Sequence, residues 1–100
     1  EVRVVFTEDA ERGLEEIADF IARDNPARAV SFVRELREKA LGLAATPRAL
    51  PLVPRYERHG IRRRVHGSYL IFYVVGHEAI AIVRIVHAAR DYDRLLLPEE

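Results

Sequence analysis

A chain of one hundred residues, 49% hydrophobic and 32% charged with no cysteine, excludes a disulfide scaffold, a thiolate metal centre and a disordered polymer. Sixteen cationic side chains offset sixteen anionic ones, so attraction to a polyanion through net charge is excluded as well. With no apolar run near the roughly 20 residues that span a bilayer, and no basic-then-apolar leader, the expectation is one soluble, cytoplasmic domain over residues 1–100.

Residues 2–6 are rich in β-branched side chains and read as a first strand. Thr7 then offers an N-cap, with Glu8 and Asp9 in a first turn where the helix dipole favours acids. Leu14, Ile17, Ala18 and Ile21 recur at helical spacing, which predicts a helix over 8–23 that stops at Asp24-Asn25-Pro26. Pro26 suits the first turn of the next helix, whose apolar face is Ala29, Phe32, Val33, Leu36, Ala40 and Leu43. Two amphipathic helices across so short a turn form an antiparallel hairpin. Phe20, Val30 and Leu41 lie off the main faces and are left for a partner.

Pro47, Pro51 and Pro54 make 46–60 a loop, although Leu50, Leu52, Val53 and Tyr56 within it still need burial. Strands are expected at 61–66, 69–75 and 79–87, with hairpin turns at Gly67-Ser68 and at Gly76-His77-Glu78. The middle one is apolar on both faces and belongs inside the sheet. The order is therefore β-α-α-β-β-β, an α+β fold with a helical hairpin on one face of a mostly antiparallel sheet. No helix remains to cover the opposite face.

Charge is unevenly distributed. Five arginines against Glu57 give residues 55–64 a local +4, while seven acids against Arg12 and Arg23 give residues 7–24 a local −5. In the strand 61–66, Arg62, Arg64 and His66 point one way and Ile61, Arg63 and Val65 the other. Those arginines either protect a sheet edge from aggregation or contact a target. Arg84 interrupts an apolar strand, which calls for an acid such as Asp91 or for display on the open face. His87, Arg90 and Asp91 follow at the strand end, where a histidine beside charged groups serves either proton transfer or a structural hydrogen bond. The histidines show no metal-binding spacing, and no phosphate loop, carboxylate pair or nucleophile triad is present. Leu95, Leu96 and Leu97 close the chain as a second apolar patch for a partner or for the sheet. Truncation after Val86 is expected to remove activity and leave the fold.

The stretches "FTEDAERGLEEIADFIARDNPARAVSFVREL", "GIRRRVHGSYLIFYVV" and "VRIVHAARDYDRLL" together resemble the ParE/RelE superfamily of toxins from bacterial type II toxin–antitoxin modules, over nearly the whole chain. RelE-like members cut ribosome-bound mRNA, and ParE-like members inhibit DNA gyrase without nuclease chemistry. The RelE-like pattern places an arginine three residues before the tyrosine of the third strand; counting back from Tyr73, this chain has Leu70. The resemblance therefore implies a ParE-like toxin acting by binding, with no cofactor and no metal. Its target contacts would be Arg62, Arg63, Arg64, Arg84, His87, Arg90 and Asp91. It implies as partners DNA gyrase and a ParD-like antitoxin in a hetero-oligomer, seated on Phe20, Val30, Leu41 and Leu95 to Leu97, with DNA met only through the antitoxin and no membrane. The rival is an mRNA interferase using His87, Arg90, Arg62 and Arg64, with the arginines replacing the missing donor if they share a sheet face with Leu70. A relative that binds an antitoxin without toxicity is a third class. Charge reversal at Arg62 and Arg64 together is expected to weaken target binding.

Overall fold

The computed structural model describes residues 2–90, Tyr92 and Leu96. Asp91, Leu95 and Leu97, three of the candidate residues, lie outside the described residues. The first strand, β1 (Arg3–Phe6), leads straight into Thr7, whose hydroxyl accepts the Ala10 N–H at 3.1 Å and starts α1 (Glu8–Ala22). That hydroxyl also lies 3.0 Å from the Ile82 carbonyl oxygen, so the helix cap is fastened to the last strand. Asn25 caps α2 (Pro26–Leu41) in the same manner, accepting the Arg28 N–H at 3.0 Å. Short 3-10 turns at Gly42–Ala45 and Glu57–His59 bracket the proline-rich loop.

β2 (Ile61–His66), β3 (Tyr69–Val75) and β4 (Ala79–His87) form the meander. The sheet order is β1-β4-β3-β2, with β1 parallel to β4 and the other pairings antiparallel. β3 is thus interior, as its two apolar faces require, and the arginine-bearing β2 is an edge. Pairing of β3 with β4 slips between Phe72 and Tyr73: Phe72 faces Arg84 and Tyr73 faces Ile82, so Val83 is an extra residue. The bulge reverses which face the later β4 residues serve.

One face carries Ile71, Tyr73, Ile80, Ile82 and Ile85 against Leu14 and Ile17 of α1 and Phe32 and Leu36 of α2. Gly13 lets this happen. A Cβ there would stand 2.6 Å from the Ile85 carbonyl oxygen, so only glycine allows α1 so close to the backbone of β4. The other face is not open. Leu70, Phe72 and Val86 are covered by Val53 and Tyr56 from the loop, and Tyr92 and Leu96 pack on the same cluster. The Phe72 and Tyr92 rings are 4.9 Å apart between centroids. The expectation that cutting after Val86 would spare the fold is therefore corrected, because the cut removes Tyr92 and Leu96 from this second core. Among the described residues no helix is long and apolar enough to cross a membrane.

Candidate functional site

The register of the sheet decides where the three arginines go. Arg62 faces Tyr73 and Arg64 faces Ile71, both residues of the helix-side core, whereas Arg63 faces Phe72 on the opposite side. The alternation follows the sequence, but the charged side meets the helical layer and its flanking loop instead of an open sheet face. Arg62 is held structurally: its guanidinium donates to the Leu50 carbonyl oxygen and lies 3.4 Å from that of Arg48, while Leu52 bridges to its backbone. Reversing its charge would free the loop and not merely alter a surface. Arg64 has a buried Nε without a partner among the described residues, and so has the Tyr73 hydroxyl. Burial pushes the Tyr73 phenol above its ordinary value, with Arg62 and Arg64 pulling the other way.

Leu70 faces Val65 and Val86 and is buried in the second core. It therefore shares a face with Arg63, not with Arg62 and Arg64. The idea that those two arginines replace a donor at position 70 is corrected by the register, since odd and even β2 residues project to opposite sides.

Arg84 is paired with an acid within the fold, as expected of a charge on an apolar strand, and among the described residues that acid is Asp9; Asp91 lies outside them. The bulge beside Arg84 brings its guanidinium within 3.3 Å of the Asp9 carboxylate at the start of α1. Asp9 also pairs with Arg12 at 2.8 Å, so helix, cap and β4 are joined electrostatically.

A more concentrated site lies at the His87 end of the sheet. The two-residue turn at Gly67-Ser68 places His66 directly opposite Tyr69, and β3 in turn places Tyr69 opposite His87. The His87 ring meets Tyr69 edge-on, with centroids 5.1 Å apart and planes at 82°. Phe32 of α2 completes the row, 5.4 Å from Tyr69 and 5.5 Å from His66. Glu35, one helical turn further along α2, lies 3.1 Å from His66 Nε2 and 2.6 Å from the Arg28 guanidinium, which stacks over Phe32. Arg28 first and His66 second hold the Glu35 carboxyl below the usual glutamate value.

Beside this row, Phe20, Tyr69, His87 and Arg90 wall a cavity of about 270 Å³ between α1 and the end of β4. His87 Nδ1 accepts the Ala89 N–H at 3.0 Å, so the neutral ring carries its proton on Nε2. That tautomer offers a donor; its acceptor nitrogen is already engaged by backbone. Arg90 is exposed, 3.9 Å from Glu16. Arg62, opposite Tyr73, is four residues up β3 from the Tyr69–His87 pair, about 13 Å at strand rise. His87 and Arg90 thus share a cavity, while Arg62 and Arg64 sit in other rows of the sheet. The arrangement suits recognition of a polar or aromatic group better than acid–base work on a phosphodiester, which needs donors and a proton acceptor converging on one atom.

Of the residues expected to meet a partner, Phe20, Val30 and Leu41 are 63%, 62% and 53% exposed. They do not form one patch. Phe20 borders the His87 cavity, whereas Val30 lines a separate groove between the helices with Ala18, Ala22 and Val33. Leu96 is half-buried on the second core. Among the described residues no group of His, Asp and Glu side chains converges as a metal site.

Residues 4–92 match the family described as the ParE toxin of the type II toxin–antitoxin system parDE. The chain belongs to the ParE toxin family. Among solved structures it is similar to a chain of the chromosomal ParDE toxin–antitoxin system from P. aeruginosa, with a TM-score of 0.72 and 21% identity over 86% of this chain and 95% of that one. It is also similar to a chain of the toxin–antitoxin complex RelBE2 from Mycobacterium tuberculosis, with a TM-score of 0.65 and 26% identity over 89% and 93% of the two chains. No curated protein matches the sequence. For this ParE-family chain, the sequence reading overlooked Tyr69, Phe32, Arg28 and Glu35. The pair His66 and Tyr69 was visible, because a two-residue hairpin makes its flanking residues cross-strand neighbours. Phe32 and Glu35 gave no such signal, being core and surface positions of an ordinary amphipathic helix.

Proposed function

We propose that the protein is a toxin that inhibits DNA gyrase by binding it, and that a ParD-like antitoxin neutralises it in a cytoplasmic hetero-oligomer. The observation that carries the choice of target is Leu70. At the strand position where an mRNA-cutting relative of the superfamily would carry an arginine, this chain has a buried leucine, on the face away from Arg62 and Arg64. An apolar side chain there neither donates a hydrogen bond nor neutralises charge developing on a phosphate, and one preorganised donor is worth about 100-fold to 1000-fold in rate. The family match and the likeness to a ParDE structure agree with this reading. Gyrase contact is assigned to the His87–Arg90 cavity and its aromatic row together with Arg63, and antitoxin contact to the exposed Phe20, Val30 and Leu41.

The second reading, a ribosome-dependent endoribonuclease, is favoured by the likeness to a RelBE2 chain and by the histidine and arginine sharing one cavity. Expression without a partner separates both from a non-toxic relative: growth stops for a toxin and resumes when a cognate antitoxin is co-expressed. Purified protein added to gyrase and, separately, to translating ribosomes then distinguishes the targets. Uncut mRNA with impaired supercoiling supports the gyrase reading; cut mRNA with normal supercoiling supports the other.

A further inference from the structure

On its helix-facing side β2 carries two arginines that no acid neutralises. Arg62 and Arg64 are both half-buried, and among the described residues neither forms an ion pair with a carboxylate. Arg62 directs its guanidinium at the Leu50 and Arg48 carbonyl oxygens, which are dipoles and leave its charge uncompensated. Arg64 Nε is closed off from solvent with no hydrogen-bond partner among the described residues, and so is the hydroxyl of Tyr73, a fully buried residue. The two terminal nitrogens of Arg64 are not enclosed in this way. The register sets these groups side by side: Arg62 is opposite Tyr73, and Arg64 follows two residues along on the same face, opposite Ile71. Both guanidinium groups pull the Tyr73 phenol down against its burial, so both charges are felt at the hydroxyl. Beside Arg64 opens a cleft of about 590 Å³, whose other wall includes Leu50, Pro51 and Leu52.

We infer that this corner binds the phosphate group of a small phosphate monoester, held by Arg64 and the Tyr73 hydroxyl, with the body of the ligand lying in the cleft. The unsatisfied groups are donors: an arginine Nε–H offers nothing else, and a phenol raised by burial keeps its proton. Their missing partner is therefore an acceptor, and two uncompensated positive charges select an anion over water. Arginine's planar fork presents Nε–H and a terminal N–H in parallel, which matches two oxygens of a phosphate. A turn of the Arg64 guanidinium toward the cleft brings Nε to the ligand as it enters. A monoester keeps three oxygens and a charge of about −1.5 to −2 near neutrality, enough for the fork, the hydroxyl and the charge of Arg62 together. The diester of a nucleic acid strand has fewer oxygens to share and a single charge, and a chain of zero net charge exerts no general pull on a polyanion. Leu50, Pro51 and Leu52 give the body of the ester an apolar wall. The site uses none of the residues assigned above to gyrase or to the antitoxin, and it depends on neither reading.

The test titrates the whole protein with phenyl phosphate, with inorganic phosphate and, at matched ionic strength, with sodium chloride, reading the Arg64 Nε–H resonance by nitrogen-edited NMR. Expected are a saturable shift of that resonance with either phosphate, none with chloride, and tighter binding of phenyl phosphate, whose ring rests on the apolar wall. Arg64→Gln removes the fork and is expected to weaken phenyl phosphate binding about tenfold or more, and Tyr73→Phe about fivefold. Without ligand Tyr73→Phe should melt no lower than the parent, because its hydroxyl has no bond to lose among the described residues. Arg58→Gln makes the same change of charge at an exposed arginine and should leave the affinity as it is. If a variant fails to fold, the Arg64 resonance of the unaltered protein decides. A chloride response equal to that of phosphate, phenyl phosphate bound no more tightly than inorganic phosphate, an oligothymidylate bound more tightly than either, or an Arg64→Gln protein that binds as before would each overturn the inference.

Discussion

Replacing Gly13 by alanine sets two effects of opposite sign against each other. In an ordinary helix interior the change is stabilising, by up to about 1 kcal/mol, because glycine loses more backbone freedom on folding. Here the new Cβ would lie 2.6 Å from the Ile85 carbonyl oxygen, inside van der Waals contact, and the obstacle is the backbone of a central strand instead of a movable side chain. α1 must therefore lift from β4. Overpacking costs about 1–3 kcal/mol, with the upper part of that range, about 2–3 kcal/mol, applying against backbone that cannot move aside, and offset by the helix gain it leaves a net loss of about 1–2 kcal/mol. For a domain of this size each kcal/mol lowers the melting temperature by roughly 4–8 °C, so Gly13→Ala is expected to melt about 5–15 °C below the parent. Thermal unfolding followed by far-UV circular dichroism measures it. An equal or higher melting temperature would refute the close approach of α1 to β4, and with it the geometry of the His87 cavity that Gly13 also borders.

Three further outcomes are expected. Glu11 is held below its ordinary value of 4.5, chiefly by the hydrogen bond from Arg37; the resulting stabilisation is complete above that value and disappears as pH falls through the lower folded-state value. Because both side chains are two-fifths exposed or more, Glu11→Gln should cost less than about 1 kcal/mol near neutrality and flatten the acid limb of the stability–pH curve; an unchanged limb would remove the pair from the account. Leu70→Arg, which restores the arginine of the RelE-like pattern, is expected to lose about 3–5 kcal/mol in a denaturant titration by burying an unpaired charge, and to gain no mRNA cleavage because it points away from Arg62 and Arg64. Tyr92→Ala should cost about 1–2 kcal/mol by uncovering Phe72, and an unaltered denaturation midpoint would separate the terminal segment from the second core.

The elements and their order were legible because each rests on local signals: Thr7 and Asn25 as caps, the apolar spacing in α1 and α2, and the two-sided apolar run of β3. What escaped depends on contacts between distant residues. Nothing local to residues 3–6 announces that β1 pairs in parallel with β4, which puts β4 inside the sheet and leaves β2 as an edge. The alternation of Arg62, Arg63 and Arg64 was readable, but which side meets the helices is fixed only by pairing with Tyr73 and Ile71. The extra residue at Val83 likewise appears only when β3 and β4 are aligned, and it is what turns Arg84 toward Asp9. Of the candidate site, His87 and Arg90 were singled out from their place at the end of the last strand. Their aromatic neighbours Tyr69, Phe20 and Phe32 converge from three separate elements, and no spacing in the chain records that.

The central claim is that this ParE-family chain poisons gyrase by binding and not by cutting RNA. The most direct measurement incubates purified protein with gyrase, ATP and relaxed plasmid, and in parallel with ribosomes stalled on a defined mRNA. Expected are loss of supercoiling or trapped cleavage complexes, relieved by a ParD-like antitoxin, with the mRNA left intact. Cleavage of the mRNA at fixed codon positions, together with undisturbed supercoiling, would contradict the claim and assign the His87–Arg90 cavity to catalysis.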